Sequence, residues 1–127
     1  MHELAYQELA QLEADHWWFR ARRKVCMALI REHLGATRPQ RILDVGAGFG
    51  GFLVPLAALG KQVVYTELEP ELVRSARARG HPLGLVASGE ALPFGDASFD
   101  LVCYFDVLEH VADDQRALYE ARRVLAP

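Results

Sequence analysis

The sequence predicts an α/β protein, a doubly wound and mainly parallel sheet with a helical extension at its N-terminus. Three observations carry this. From Arg41 onward short apolar runs alternate with helical stretches, the order that builds parallel strands through right-handed crossovers. A glycine cluster, Gly46 to Gly51, follows the first apolar run and precedes a helical stretch. Phe99 to Phe105 is apolar on both faces apart from Asp100, as a strand inside a parallel sheet should be.

Residues 1–40 form the extension and residues 41–127 the sheet domain. The opening reads as a helix with Ala5, Leu9 and Leu12 on one face, followed by the aromatic knot His16-Trp17-Trp18-Phe19 and a basic run, Arg20 to Lys24. A second helix places Cys26, Ile30 and Leu34 four residues apart, with Val25 and Leu29 beside them, and Gly35 stops it. Ile42 to Val45 is the first strand. A helix through Phe52, Leu53, Leu56 and Leu59 closes at Gly60. Gln62 to Thr66 is the second strand, and Pro70 opens a helix with Leu72, Val73 and Ala76 inward, ended by Gly80. Leu83 to Ala87 is a weaker third strand and Phe99 to Phe105 the fourth. Asp113-Asp114 starts a last helix with Leu118, Ala121 and Leu125 inward, and Arg122 and Arg123 near its C-terminal dipole.

With 127 residues, 51% apolar and 24% charged, the chain is a soluble globular domain and not a disordered or collagen-like one. Fourteen Lys and Arg against 17 Asp and Glu leave a charge of −3, so no basic excess exists to hold a nucleic acid or an anionic membrane. No apolar run reaches the ~20 residues of a membrane helix, and the mixed opening is no secretory signal. Cys26 and Cys103 lie far apart in apolar stretches and read as buried thiols of a reducing compartment, which points to the cytoplasm.

The segment Asp44-Val45-Gly46-Ala47-Gly48-Phe49-Gly50-Gly51 sits between a strand and a helix, where glycines let a ligand approach the main chain. Gly46, Gly48 and Gly51 also satisfy the dinucleotide spacing G-x-G-x-x-G, so the loop alone is ambiguous. Glu67, 21 residues after Gly46 at the end of the second strand, is placed to accept from two ribose hydroxyls in either reading. Asp44 separates the two. Its carboxylate lies where a dinucleotide would bring its pyrophosphate, and like charges there repel. A ligand with a ribose, no phosphate, an ammonium and a sulfonium would be welcomed, and S-adenosylmethionine is one.

RILDVGAGFG, VVYTELEP, GEALPFGDASFDLV, YFDVLEHV and ARRVLAP, in that order and spacing from Arg41 to Pro127, resemble the successive motifs of class I S-adenosylmethionine-dependent methyltransferases, closest to the small-molecule group. The resemblance implies a Rossmann-like methyltransferase fold with S-adenosylmethionine as cofactor. It puts Asp44, Gly46 and Gly48 at the methionine end, Glu67 on the ribose, Gly89, Glu90 and Ala91 beside the adenine, and Tyr104 and Asp106 facing the cofactor. The family often has an acid where this chain has Ser88. The family pattern also continues through a fifth strand and a closing pair beyond the position of Pro127. The later strands are therefore expected to be missing, the Phe99–Phe105 strand to be an apolar edge, and the chain to pair as a homodimer.

His110 is the candidate catalytic residue, taking a proton from an acceptor hydroxyl. On a helix, Asp106, Glu109 and His110 would stand at i, i+3 and i+4 and could converge on a divalent metal. The preferred reading is a helix start capped by Asp106 with His110 beneath the cofactor, so no metal is assigned. Trp17, Trp18 and Phe19 are expected to dock the N-terminal helices on the sheet domain, a lid over the cleft being the sharper alternative. Arg20, Arg22, Arg23 and Lys24 read as a solvated helix face paired with nearby acids, with an anionic acceptor as the alternative. The activity implied is methyl transfer to a small molecule. Its rival is a non-catalytic cofactor-binding or interaction module, and a dinucleotide-dependent oxidoreductase is disfavoured by Asp44.

Overall fold

In the computed structural model, which describes residues 3–127, helix α1 (Glu3–Asp15) turns at His16 into α2 (Trp17–Leu34). Alternating strands and helices follow: β1 (Arg41–Val45), α3 (Leu53–Ala57), β2 (Gln62–Glu67), α4 (Pro70–Ala78), β3 (Gly84–Val86), β4 (Leu101–Tyr104), a 3-10 turn (Leu108–His110) and α5 (Asp114–Val124). The sheet order is β3-β2-β1-β4, and each pairing is parallel. The doubly wound α/β class and the N-terminal helices are as the sequence predicts.

β1 is central, and Ile42 to Val45 are all buried because both faces are covered. Ile42 and Cys103 pack with Met27, Phe52 and Leu56 on the face under α2 and α3. Leu43 and Val45 pack with Val64, Phe99 and Val124 on the face under α5. Alternation therefore sends Asp44, in register with Cys103 and Tyr65, to the α2 face.

The strands are shorter or shifted at their ends. Phe99 is buried but lies outside β4, joined to Leu125 by an isolated parallel bridge, and Ala126 N–H donates to its carbonyl at 2.7 Å. Asp100, the polar break in that apolar run, accepts from the Gln40 and Arg41 amides at 2.8 and 3.1 Å. It locks the entry to β1 against the entry to β4.

The helix faces need larger correction. In α1 the buried side chains are Tyr6 and Ala10, while Leu9 and Leu12 are exposed. Tyr6 meets the Phe49 ring, and small residues such as Ala10 let α1 lie close on α4. Periodicity alone counts hydrophobicity and misses that preference for small side chains. In α2, Met27 is buried, Cys26, Ile30 and Leu34 are half-buried, and Val25 and Leu29 face outward. Cys103 is a buried thiol, whereas Cys26 is only partly covered. In α5 the inward set is Ala117, Glu120 and Val124, and Leu118 is exposed. The aromatic knot is the first turn of α2, and Trp17 and Trp18 are 71% and 48% exposed, so neither docks the helices.

Glu120 explains the rotation of α5. Its carboxylate accepts from the Leu92 amide at 2.7 Å and from Arg123 Nε and Nη2, and Arg123 also donates to the Leu92 and Phe94 carbonyls and to Asp96. An acid and a base three residues apart on one face thus knit α5 to the loop before β4. Arg123 serves as a loop clamp and not simply as a charge at the helix terminus.

Candidate functional site

The carboxyl ends of β1, β2 and β4 open into one cleft of about 540 Å³, within the size range of small-ligand sites. Its floor is the turn after β1. Gly46, Gly48 and Gly50 all have positive φ, 71°, 59° and 79°, a conformation that side chains with a Cβ resist. A Cβ on Gly46 would come within 2.6 Å of Val107 Cγ2, whereas one on Gly48 meets no protein atom within 4 Å. Gly48 therefore borders open cleft. The Gly46 and Ala47 amides donate to the Thr66 carbonyl, and the Gly48 amide donates to Glu67 at 2.8 Å.

Asp44 lies beneath this turn, 1% exposed, and its Oδ1 has no hydrogen-bond partner. Burial, reinforced by the nearby Glu67 and Glu13 carboxylates, pushes its pKa up to about 8. A buried carboxyl without a partner waits for a donor or a cation. Burial likewise pushes the Cys103 thiol up to about 12, with Asp44 adding to the effect, so Cys103 is not a thiolate nucleophile.

Of the residues singled out in the sequence, Asp44, Gly46, Gly48, Glu67, Gly89, Glu90, Asp106 and His110 line the cleft. Glu67 has one oxygen on Gly48 and the other on the Leu68 amide, each with a lone pair to spare. Gly89 is buried so tightly that a Cβ there would stand 3.1 Å from Val45 Cγ1. Glu90 has a structural task as well, accepting from the Ala112 and Asp113 amides, so it ties the approach to α5 to the cleft wall. Ser88 Oγ accepts from the Glu90 amide at 3.1 Å.

Two residues fall elsewhere. Ala91 is exposed and outside the cleft lining. Tyr104 points to the opposite face, where its hydroxyl donates to the Ala117 carbonyl at 3.1 Å and its ring packs on the Phe99 cluster. Burial and Glu120 push its pKa up to about 12. The reason is register: Cys103 and Tyr104 must face opposite ways, and Cys103 takes the α2 side.

The turn after β4 also departs from expectation. Asp106 has φ 56°, and the 3-10 turn that follows is entered through Val107, which makes no side-chain cap. The helical i, i+3, i+4 spacing is therefore broken. Asp106 pairs with Arg22, while His110, 77% exposed, stands 3.7 Å from Glu109. Among the described residues no three metal-ligating side chains gather.

Periodicity does not reveal what the N-terminal helices contribute. Glu13, Phe19 and Arg22 line the cleft, and Phe52 and Phe105 stack face to face at 3.6 Å within it. The Arg22 guanidinium lies 5.6 Å over Phe52. Burial raises the Glu13 pKa, although Arg23 and the Gly51 amide pull the other way. The basic run was the available signal for Arg22 and Arg23. Arg23 donates to the Glu13 and Ala14 carbonyls, fastening the end of α1 to α2. Arg22 does pair with an acid, Asp106, but both arginines are half-buried in the site and its cover and not on a solvated face.

A parallel sheet with a left-handed glycine turn after β1 and an acid at the end of β2 is the Rossmann-like arrangement of the α/β class. Residues 43–127 match the methyltransferase domain family, and the chain belongs to it. Demethylmenaquinone methyltransferase of Tropheryma whipplei is 33% identical over 122 residues, 94% of this chain and 47% of that protein. Norajmaline N-methyltransferase of Rauvolfia serpentina is 36% identical over 98 residues, 71% and 34% respectively. A SAM-dependent methyltransferase structure from Thermotoga maritima superposes with a TM-score of 0.67 at 28% identity, over 95% of this chain and 56% of that one. The chain thus spans a third to a half of the length of these curated relatives. The fold is that of class I methyltransferases, whose cofactor is S-adenosylmethionine.

The residues present fit that cofactor. The unpartnered Asp44 carboxyl suits a cationic methionine end, Gly48 leaves room above the turn, and Glu67 retains acceptor capacity one strand away. No helix among the described residues is long and apolar enough to cross a membrane.

Proposed function

We propose that this chain carries the cofactor half of an S-adenosylmethionine-dependent methyltransferase acting on a small organic molecule. The observation that carries the reading is Asp44, a buried carboxyl with a free oxygen under a left-handed glycine turn. Residues 41–127 bind the cofactor and residues 1–40 cover its methionine end through Glu13 and Arg22. A small-molecule acceptor is supported by a cleft of limited volume and by relatives named for norajmaline and demethylmenaquinone. Free Cys26 and Cys103 suit the reducing cytoplasm.

When bound, the cofactor supplies a methyl group already activated on a sulfonium. The protein's task is alignment and exclusion of water. Asp44 holds the methionine end and Glu67 the ribose in the middle, Gly46 and Gly48 let the ligand sit on the main chain, and Gly89 and Glu90 shape the adenine side. Asp106 and His110 border the cleft at the β4 end, where the acceptor would arrive, and His110 is placed to take its proton. Calorimetry with S-adenosylhomocysteine tests the reading without knowledge of the acceptor. Micromolar binding, worth about 8 kcal/mol, is expected. Binding of NAD in its place would overturn it.

A further inference from the structure

Beyond the glycine turn the cleft carries an aromatic wall. With the ribose at Glu67 on β2 and the methionine end at Asp44 on β1, the cofactor's methyl side faces β4. Beyond it stand Phe19, Phe52 and Phe105, a flat apolar wall with two rings already stacked. Within that region the ionisable groups are Glu13, Arg22, Asp106 and His110. Arg22 is 23% exposed, its guanidinium lies over Phe52, and it is already committed to Asp106. The Asp106 side chain is 62% exposed and reaches the cleft with a second carboxylate oxygen, Oδ1, that bonds to none of the described residues. At this end Arg22 stands against two carboxylic side chains, Glu13 and Asp106. The open end is therefore acidic and aromatic.

We infer that the acceptor is an amine carrying a flat apolar body, its ammonium read by Asp106 and its body laid on the Phe19–Phe52–Phe105 wall. The inference rests on the methyltransferase reading and names the substrate class for it. An ammonium gains a charge-assisted bond to Asp106 and the negative faces of the rings, whereas a carboxylate would meet the acids first. The reacting amine gives one proton to His110, at the same end of the cleft, before its lone pair attacks the methyl carbon. The carbon–sulfur bond breaks with its electron pair going to sulfur, and the positive charge moves to nitrogen, beside Asp106.

The test is calorimetry on the full chain saturated with S-adenosylhomocysteine, using tryptamine, its neutral analogue tryptophol and the anion indole-3-propionate as probes. Tryptamine should bind at least tenfold tighter than tryptophol, and indole-3-propionate more weakly than either. In Asp106→Asn the tenfold ratio should fall to about one. Asparagine tolerates the positive φ at this position, so the backbone is kept. Arg22→Gln, a second variant, is likewise titrated at saturating S-adenosylhomocysteine because Arg22 also covers the methionine end, and it should retain the amine preference, which Asp106 reads. Equal binding of tryptamine and tryptophol by the parent overturns the inference, as does an amine preference that survives Asp106→Asn. Tightest binding of indole-3-propionate, lost in Arg22→Gln, would reverse it to an anionic acceptor. A parent that fails to bind S-adenosylhomocysteine defeats the cofactor reading itself, and this inference with it.

Discussion

Asp44 and Glu67 are both acids at strand ends, yet the fold treats them oppositely. Glu67 is half-buried with two backbone donors, while Asp44 is fully buried with a bare oxygen. With its pKa raised from 3.8 to about 8, Asp44 binds a proton in the folded chain that the unfolded chain has lost. Stability without ligand should therefore fall as pH rises from about 4 to 8, by on the order of a few kcal/mol. Asp44→Asn should flatten that slope in urea melts taken across the range, and should weaken S-adenosylmethionine binding at least tenfold. A parent slope unchanged by the substitution would show that Asp44 is ionised and already compensated. The same raised pKa means that a cationic ligand expels the proton. Calorimetry at pH 7 in buffers of differing ionisation heat should register proton release for the parent and none for Asp44→Asn. For Glu67, the bond to Gly48 couples loop and ligand. Glu67→Ala should cost about 1.5–3 kcal/mol of cofactor affinity, measured by titration, through loss of charge-assisted bonds and of the loop anchor together.

At the scale of elements, α5 carries the clearest consequence. Glu120 is 3% exposed, and bonds from Arg123 and the Leu92 amide hold its carboxyl down, at about 2 against an ordinary 4.5. A lowered acid contributes stability above 4.5 that is lost as pH falls toward 2. Glu120→Gln should remove the acid-limb loss of stability seen by circular dichroism between those values, and should cost about 1.5–3 kcal/mol at pH 7. An unchanged acid limb would place the sensitive group elsewhere. The elements themselves were legible in the sequence because strands buried on both faces and glycine-stopped helices write strong local patterns. The inward faces of α1 and α5 were less so. Ala10 and Glu120 are inward for reasons that hydrophobic periodicity does not encode, a close helix approach in one case and an ion pair with the neighbouring loop in the other. The candidate site divides the same way. Asp44, Gly48 and Glu67 announce themselves by spacing. Glu13, Phe19 and Arg22 reach the cleft only through the way the N-terminal helices cross it, and Tyr104 leaves it through strand alternation.

Across the whole molecule, the sheet is asymmetric. β3 closes one side with three residues, a short edge that offers little to a partner. On the other side β4 pairs with β1 along its inner edge, while among the described residues its outer side has no strand partner and the chain returns only beside Phe99, just before it, through Val124, Leu125 and Ala126. Leu101, Val102 and Tyr104 are half-buried on that strand, so the edge is apolar as well as unpaired among the described residues. Parallel pairing of a further strand would satisfy it, and the bridge at Phe99 already sets the direction. A chain of these 127 residues should therefore self-associate through β4. Light scattering behind a sizing column should give at least twice the 14.2 kDa chain mass at tens of micromolar, falling toward one chain on dilution. Amide exchange should slow along Leu101–Tyr104 as concentration rises and stay unchanged along β3. A single-chain mass at every concentration, with β4 amides protected throughout, would show that the stretch after α5 covers the edge by itself.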